Sequence, residues 1–156
     1  MLYYTEAALS HREVPYETSI CIYISGCINH CVDCHYPELK QYNYGDPLSK
    51  YYSDILNLYL QQASCVCFLG EGSGSPSDRA ELCHYASYAN ALNLKTCLYC
   101  GRDTDIEDWM CVFDYIKLGS YQPSLGPLTS PFTNQRMYKR EHDDFVNITA
   151  LFQHPF

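Results

Sequence analysis

Basic charge is scarce in this chain: 10 Lys and Arg stand against 18 Asp and Glu, a formal net charge of -8 over 156 residues. A nonspecific grip on phosphate backbones needs clustered cations, so this balance argues against a nucleic-acid partner. Long apolar runs are also missing. Nowhere do about 18 apolar residues follow one another, which excludes an evident spanning helix. The opening MLYYTEAALSHREVPYE has no basic segment followed by an apolar one, so no secretory leader is expected. Internal repeats, low-complexity tracts and a recognisable linker are absent too. These absences predict one domain spanning residues 1–156, in the cytoplasm and without a membrane partner, long enough to bury about two-thirds of its unfolded surface.

Cysteine, by contrast, is plentiful, with ten in the chain. In a reducing compartment paired disulfides do not persist, so thiols serve as small buried apolar residues or as metal ligands. Cys21, Cys65, Cys67, Cys97 and Cys100 sit in or beside apolar runs, and Cys83 and Cys111 fall in apparent helices; all seven are expected to pack in the core. The remaining three have ligand spacing. SGCINHCVDCHYPEL, residues 25–39, arranges Cys27, Cys31 and Cys34 as C-x3-C-x2-C.

Three chemistries lie close to that spacing. Cys31-Val-Asp-Cys34-His35 alone spells a c-type haem attachment signal, but covalent attachment requires export and leaves Cys27 without a purpose. Zinc wants four ligands in a closed tetrahedron, and the fourth would have to be His35, Cys21 or His30. Cys34 and His35 are adjacent, and neighbouring side chains in an extended loop diverge. A 4Fe-4S cluster normally takes four thiolates. Held by three, it keeps one iron open to a further ligand.

Strand and helix patterns alternate along the chain. Ser19–Ser25 is short and β-branched and ends at Gly26, just before the cysteine loop. A helix is expected from Ser49, with Tyr52, Ile55, Leu56, Tyr59 and Leu60 on one face. Cys65–Gly70 reads as a buried strand. A second helix is expected with Ser77 at its N-cap and Glu81 near the capping-box position, burying Leu82, Tyr85, Ala86, Ala89 and Leu92. LKTCLYC follows as a strand, IEDWMCVF as a short helix and DYIKLG as a strand. This alternation predicts an α/β fold of βαβ units on an open parallel sheet with helices outside, whose loops at the strands' carboxyl ends carry the chemistry. Residues 119–135, rich in Pro, Gly, Ser and Thr, read as a long surface loop. The final stretch, RMYKREHDDFVNITALF, is expected to return to a sheet edge.

ISGCINHCVDCHYPEL resembles the cluster segment of radical S-adenosylmethionine (SAM) proteins. It is most similar to a short branch of the activating proteins of anaerobic ribonucleoside-triphosphate reductase that carries "GCHxPEL" after the cluster loop. CFLGEGSG looks like that family's "GGD/GGE" motif, LKTCLYCGRD like its "WxWTGY" segment, DYIKLGSYQ like its "DVxVDGPY" strand and SPFTNQRMY like its "GSSNQRLW" tail. The similarity runs from about residue 18 to 140; the cysteine motif is specific and the others persuade by their order.

The resemblance implies a partial (β/α) barrel in which Cys27, Cys31 and Cys34 hold a 4Fe-4S cluster whose open iron chelates SAM. One electron from a low-potential donor would split SAM to give a 5′-deoxyadenosyl radical. That radical would abstract hydrogen from a glycine of a glycyl radical enzyme, here anaerobic ribonucleotide reductase. Asp33, His35, Gly70, Glu71 and Gly72 are the implied SAM contacts, with Glu71 suited to the cofactor's ammonium. Two positions depart from the pattern: Asp33 precedes the last cysteine, and Leu69 replaces the first glycine of the second motif. Tyr121–Gln135 is the implied docking segment for the partner. Readings from other classes are a noncatalytic iron-sulfur electron carrier or redox sensor, and a zinc-stabilised binding module.

Overall fold

The computed structural model describes residues 1–26 and 44–153. The chain is α/β. Its described strands form one eight-stranded mixed sheet, built from β1 (Tyr3–Ser10), β2 (Ser19–Ile24), β3 (Asp46–Pro47), β4 (Cys65–Leu69), β5 (Lys95–Tyr99), β6 (Tyr115–Leu118), β7 (Arg136–Glu141) and β8 (Asp144–Asn147), in the order β3-β1-β2-β4-β5-β6-β7-β8.

The expected parallel sheet is confined to the centre. β2, β4, β5 and β6 run parallel, while β1, β3, β7 and β8 pair antiparallel. No crossover helix follows β6. Arg136–Glu141 instead turns back against it and forms a hairpin with β8, the edge return expected of the final stretch.

Helices are few. α1 (Leu48–Tyr59) buries Leu48, Tyr52, Ile55 and Leu56, and α2 (Pro76–Ala91) buries Leu82, Tyr85, Ala86 and Ala89. Both stripes join one core cluster with Ile20, Ile22, Ile24, Val66, Phe68, Leu98 and Ile116, so the two α-helices share one face of the sheet. Among the described residues the opposite face has no α-helical cover. There Cys21, Cys65, Cys67, Cys97, Tyr115 and Met137 are covered by Val14, from the loop joining β1 to β2, and by Phe152.

The helix starts differ from expectation by small, explicable amounts. α1 begins at Leu48, one residue before Ser49, after an extended Pro47 that offers no side-chain cap. α2 is capped by Ser75 rather than Ser77: Ser75 Oγ accepts from the Asp78 amide at 3.1 Å, and Pro76 takes the first helical position. Proline there has its φ preset and no N–H to leave unpaired. Glu81 is consequently not a capping-box residue; its carboxylate accepts from the Leu2 amide and from the Tyr85 hydroxyl. The expected helix over IEDWMCVF is a single 3-10 turn, Asp108–Val112. That short turn faces Met110 inward and leaves Cys111 exposed, so Cys111 is not the core residue expected.

Candidate functional site

The carboxyl ends of β2, β4, β5 and β6 lie side by side. Parallel register brings Tyr23 opposite Leu69, Leu69 opposite Tyr99, and Tyr99 opposite Lys117. Four connections therefore emerge at one edge, beginning at Ser25, Gly70, Cys100 and Gly119. The first leads directly to residue 27, and Cys27, Cys31, Asp33, Cys34 and His35 lie outside the described residues.

The second connection is the glycine-rich loop. Gly70 has φ +121, and a Cβ there would sit 3.2 Å from the carbonyl oxygen of Ile24, so only glycine lets β4 end this close to β2. Gly72, at φ +66, is held for a different reason: a Cβ would meet Leu2 Cδ2 at 2.5 Å and Asp78 Oδ2 at 2.8 Å. Gly72 is thus packed against the start of the chain and α2. Asp78, fully buried, braces the turn by accepting from the Ser73 amide at 3.0 Å and the Ser73 hydroxyl at 2.7 Å.

Between these glycines Glu71 turns inward and is 4% exposed. Its carboxylate accepts from Arg102 in a forked pair, Nε to Oε1 at 2.8 Å and Nη2 to Oε2 at 3.3 Å. The other side of the Arg102 guanidinium grips Glu107 through Nη1 to Oε2 at 3.1 Å and Nη2 to Oε1 at 2.6 Å. Trp109 Nε1 donates to the same Glu107 oxygen at 2.8 Å, and Arg79 lies over the Trp109 ring at 5.2 Å. Two carboxylates and two guanidiniums thus neutralise one another at the ends of β4 and β5. An ammonium reaching Glu71 would share a carboxylate already held by Arg102. Arg102, Arg79, Glu107 and Trp109 were not among the residues expected from sequence.

The network perturbs its members. Hydrogen bonds from Arg102, then from Trp109, hold the Glu107 carboxyl at about 2, below its ordinary 4.5. Burial, reinforced by Glu71, pushes the Cys100 thiol up to about 12. Because the Glu107 carboxyl is depressed in the folded chain, its stabilisation is complete above pH 4.5 and is lost as pH falls toward about 2. Acid unfolding followed by fluorescence of Trp109 should therefore lose part of its pH dependence in that window on Glu107→Gln; an unchanged profile would remove Glu107 from the acid response.

A second thiol-rich region lies on the sheet face opposite α1 and α2. Cys21, Cys67 and Cys97 are direct partners across three adjacent strands. All are buried and all are shifted up: Cys21 chiefly through its hydrogen bond with Cys67, and Cys67 and Cys97 through burial. Metals bind the thiolate, and burial here opposes its formation. Among the described residues no group of three or more His, Cys, Asp or Glu side chains is arranged to hold a metal ion. Four of the seven cysteines expected in the core, Cys21, Cys65, Cys67 and Cys97, thus pack as one cluster.

The chain matches no protein-family model, no curated protein and no solved structure. No described helix is long and apolar enough to cross a membrane.

Proposed function

We propose that this chain is a radical SAM activase, in which Cys27, Cys31 and Cys34 hold a 4Fe-4S cluster and a glycyl radical enzyme, anaerobic ribonucleotide reductase, is the partner. The observation that carries the reading is a juxtaposition. The C-x3-C-x2-C segment starts three residues after β2 ends at Ile24, and the Gly70-containing loop after β4 packs against that same Ile24. Ligand-bearing loops of α/β sheets gather at the carboxyl ends of parallel strands. On this reading the central four strands are a reduced form of the partial (β/α) barrel, with two α-helices and a 3-10 turn on the crossovers.

The donor set suits such a cluster, because three spaced thiolates leave one iron for SAM. The group supplies one-electron cleavage chemistry that ends in removal of a hydrogen atom from a partner's glycine. The chain's own residues bind and shape. Gly70 keeps side chains out of the gap beside β2, Asp33 and His35 belong to the segment that would face the cofactor, and Gly72 fixes the loop against Asp78. Glu71 would accept from the cofactor's ammonium while remaining paired with Arg102. A low-potential electron donor completes the system in the cytoplasm.

Anaerobic reconstitution followed by EPR with and without SAM tests this reading. The expected result is a cluster signal that changes on addition of SAM, release of 5′-deoxyadenosine on reduction, and a glycyl doublet on the reductase. A colourless protein would point to the zinc-stabilised module. A cluster indifferent to SAM would point to an electron carrier or redox sensor.

A further inference from the structure

At the far end of the same carboxyl edge lies an open cleft of about 460 Å³, formed by the connections after β5 and β6 and the start of β7. Resting on the activase reading, we propose that this cleft holds the extended main chain of the partner's glycine-bearing segment. A glycine offers no side chain to grip. A protein that selects one must hold the backbone around it, through acceptors for N–H groups and donors for carbonyls.

The cleft presents both. Asp103 and Asp105 line it with carboxylates, while Gln122, Asn134 and Arg136 bring amide and guanidinium donors, with Tyr138 beside them. Among the described residues Asp105 has no hydrogen-bond or ion-pair partner. Asn134 Oδ1 is buried without a hydrogen-bond partner, an acceptor that the fold itself leaves unused. Such atoms are uncommon in folded chains and call for a partner.

The walls are also fixed in place before any ligand arrives. Asp103 accepts from the Ser120 amide at 2.9 Å, and Asn134 Nδ2 donates to the Ser120 carbonyl at 3.0 Å. Arg136 Nη1 ties down the carbonyls of Thr133 at 2.6 Å and Gln135 at 2.8 Å, leaving Nη2 and Nε for other work. Gly119, at φ +106, lets the two loops meet, since a Cβ there would sit 3.1 Å from Gln135 Cα. A preformed arrangement of this kind lowers the ordering cost of binding.

Position agrees with the role. Strands in a sheet are about 4.8 Å apart, so the end of β6 is about 14 Å from the end of β2, where the cysteine segment departs. A cofactor extending along the edge would lie between the two. Gln122 and Asn134, near the two ends of the expected docking segment Tyr121–Gln135, both line the cleft, which narrows that expectation from a loop to a binding surface.

Fluorescence anisotropy of the intact protein with fluorescein-Ser-Ala-Gly-Ala-Ser-amide tests the proposal. The expected result is saturable binding, weakened about 10-fold by Asp105→Asn, by Arg136→Gln, and by replacing the peptide's glycine with N-methylglycine, each of which removes one charged or main-chain hydrogen bond. Arg136→Gln also disturbs the Thr133 and Gln135 carbonyls; Asp105→Asn has no such side effect and decides the matter if that variant misfolds. Absence of saturable binding, or binding indifferent to Asp105→Asn and to N-methylation, overturns the proposal. SAM cleavage by the unaltered chain is read separately. A chain that cleaves SAM but ignores the peptide loses this site alone, and one that binds the peptide but leaves SAM intact loses the activase reading alone.

Discussion

Changing Cys27, Cys31 or Cys34 singly to alanine should abolish iron binding after anaerobic reconstitution, whereas Cys67→Ser or Cys97→Ser should leave iron content at the level of the unaltered chain. The contrast is sharp because the chain carries two cysteine-rich regions with opposite physical settings. The first has C-x3-C-x2-C spacing immediately after a parallel strand. The second, Cys21, Cys67 and Cys97, is a row across the sheet in which neighbouring strands set the separation and burial keeps the thiols protonated. A cluster requires thiolates converging on one point. A row of in-register residues on three strands diverges over about 10 Å from first to last. Iron and acid-labile sulfide assays on the five variants check this. Iron lost on changing Cys67 and retained on changing Cys31 would transfer the metal to the sheet face and end the radical SAM reading. Cys67→Ser should still carry a stability cost, because a hydroxyl replaces a thiol in an apolar cluster.

Local pattern made much of this fold legible. β4, β5 and β6 are short apolar runs bounded by Gly, Asn or Asp, and each lies where its run predicts. The N-terminal strand did not announce itself: in YYTEAALS the burial is intermediate at every position but one, so no period of two is written into it. Its pairing with β2 comes from tertiary context rather than from alternation. The start of α2 lies two residues before the expected cap because Ser75 and Ser77 both suit that position, and Pro76 at the first helical position is the signal that separates them. The site was legible as motif but not as network. Glu71 and Arg102 are 31 residues apart, and Arg102 follows a strand with nothing in its neighbours to mark it as an ion-pair partner. Asn134 and Arg136 stood within SPFTNQRMY, but only the close approach permitted by Gly119 brings them opposite Asp103.

Removing the Arg102 guanidinium should be the most damaging single change to stability at the carboxyl edge. Arg102→Ala leaves Glu71, 4% exposed, without its forked partner, and Glu107 without the donor that depresses its carboxyl. Breaking a buried pair from one side strands the other charge, at a typical cost of about 3 to 5 kcal/mol. Arg79 Nη2, 4.0 Å from Glu71 and 3.8 Å from Glu107, offsets part of that and favours the lower end. Glu71→Gln should cost less, since an amide keeps an acceptor for Arg102 and strands no carboxylate. Urea unfolding of the two variants measures the difference. Their pairing then separates architecture from cofactor recognition. If Glu71 serves only the ion network, Arg102→Ala together with Glu71→Gln should recover stability relative to Arg102→Ala alone and affect SAM no more than Arg102→Ala does. If Glu71 also receives the cofactor's ammonium, the double variant should recover stability and still bind SAM more weakly than Arg102→Ala, by about 10-fold to 100-fold for one charged hydrogen bond. SAM affinity equal in these two variants would remove Glu71 from the cofactor site and leave Gly70 and the cysteine segment to form it.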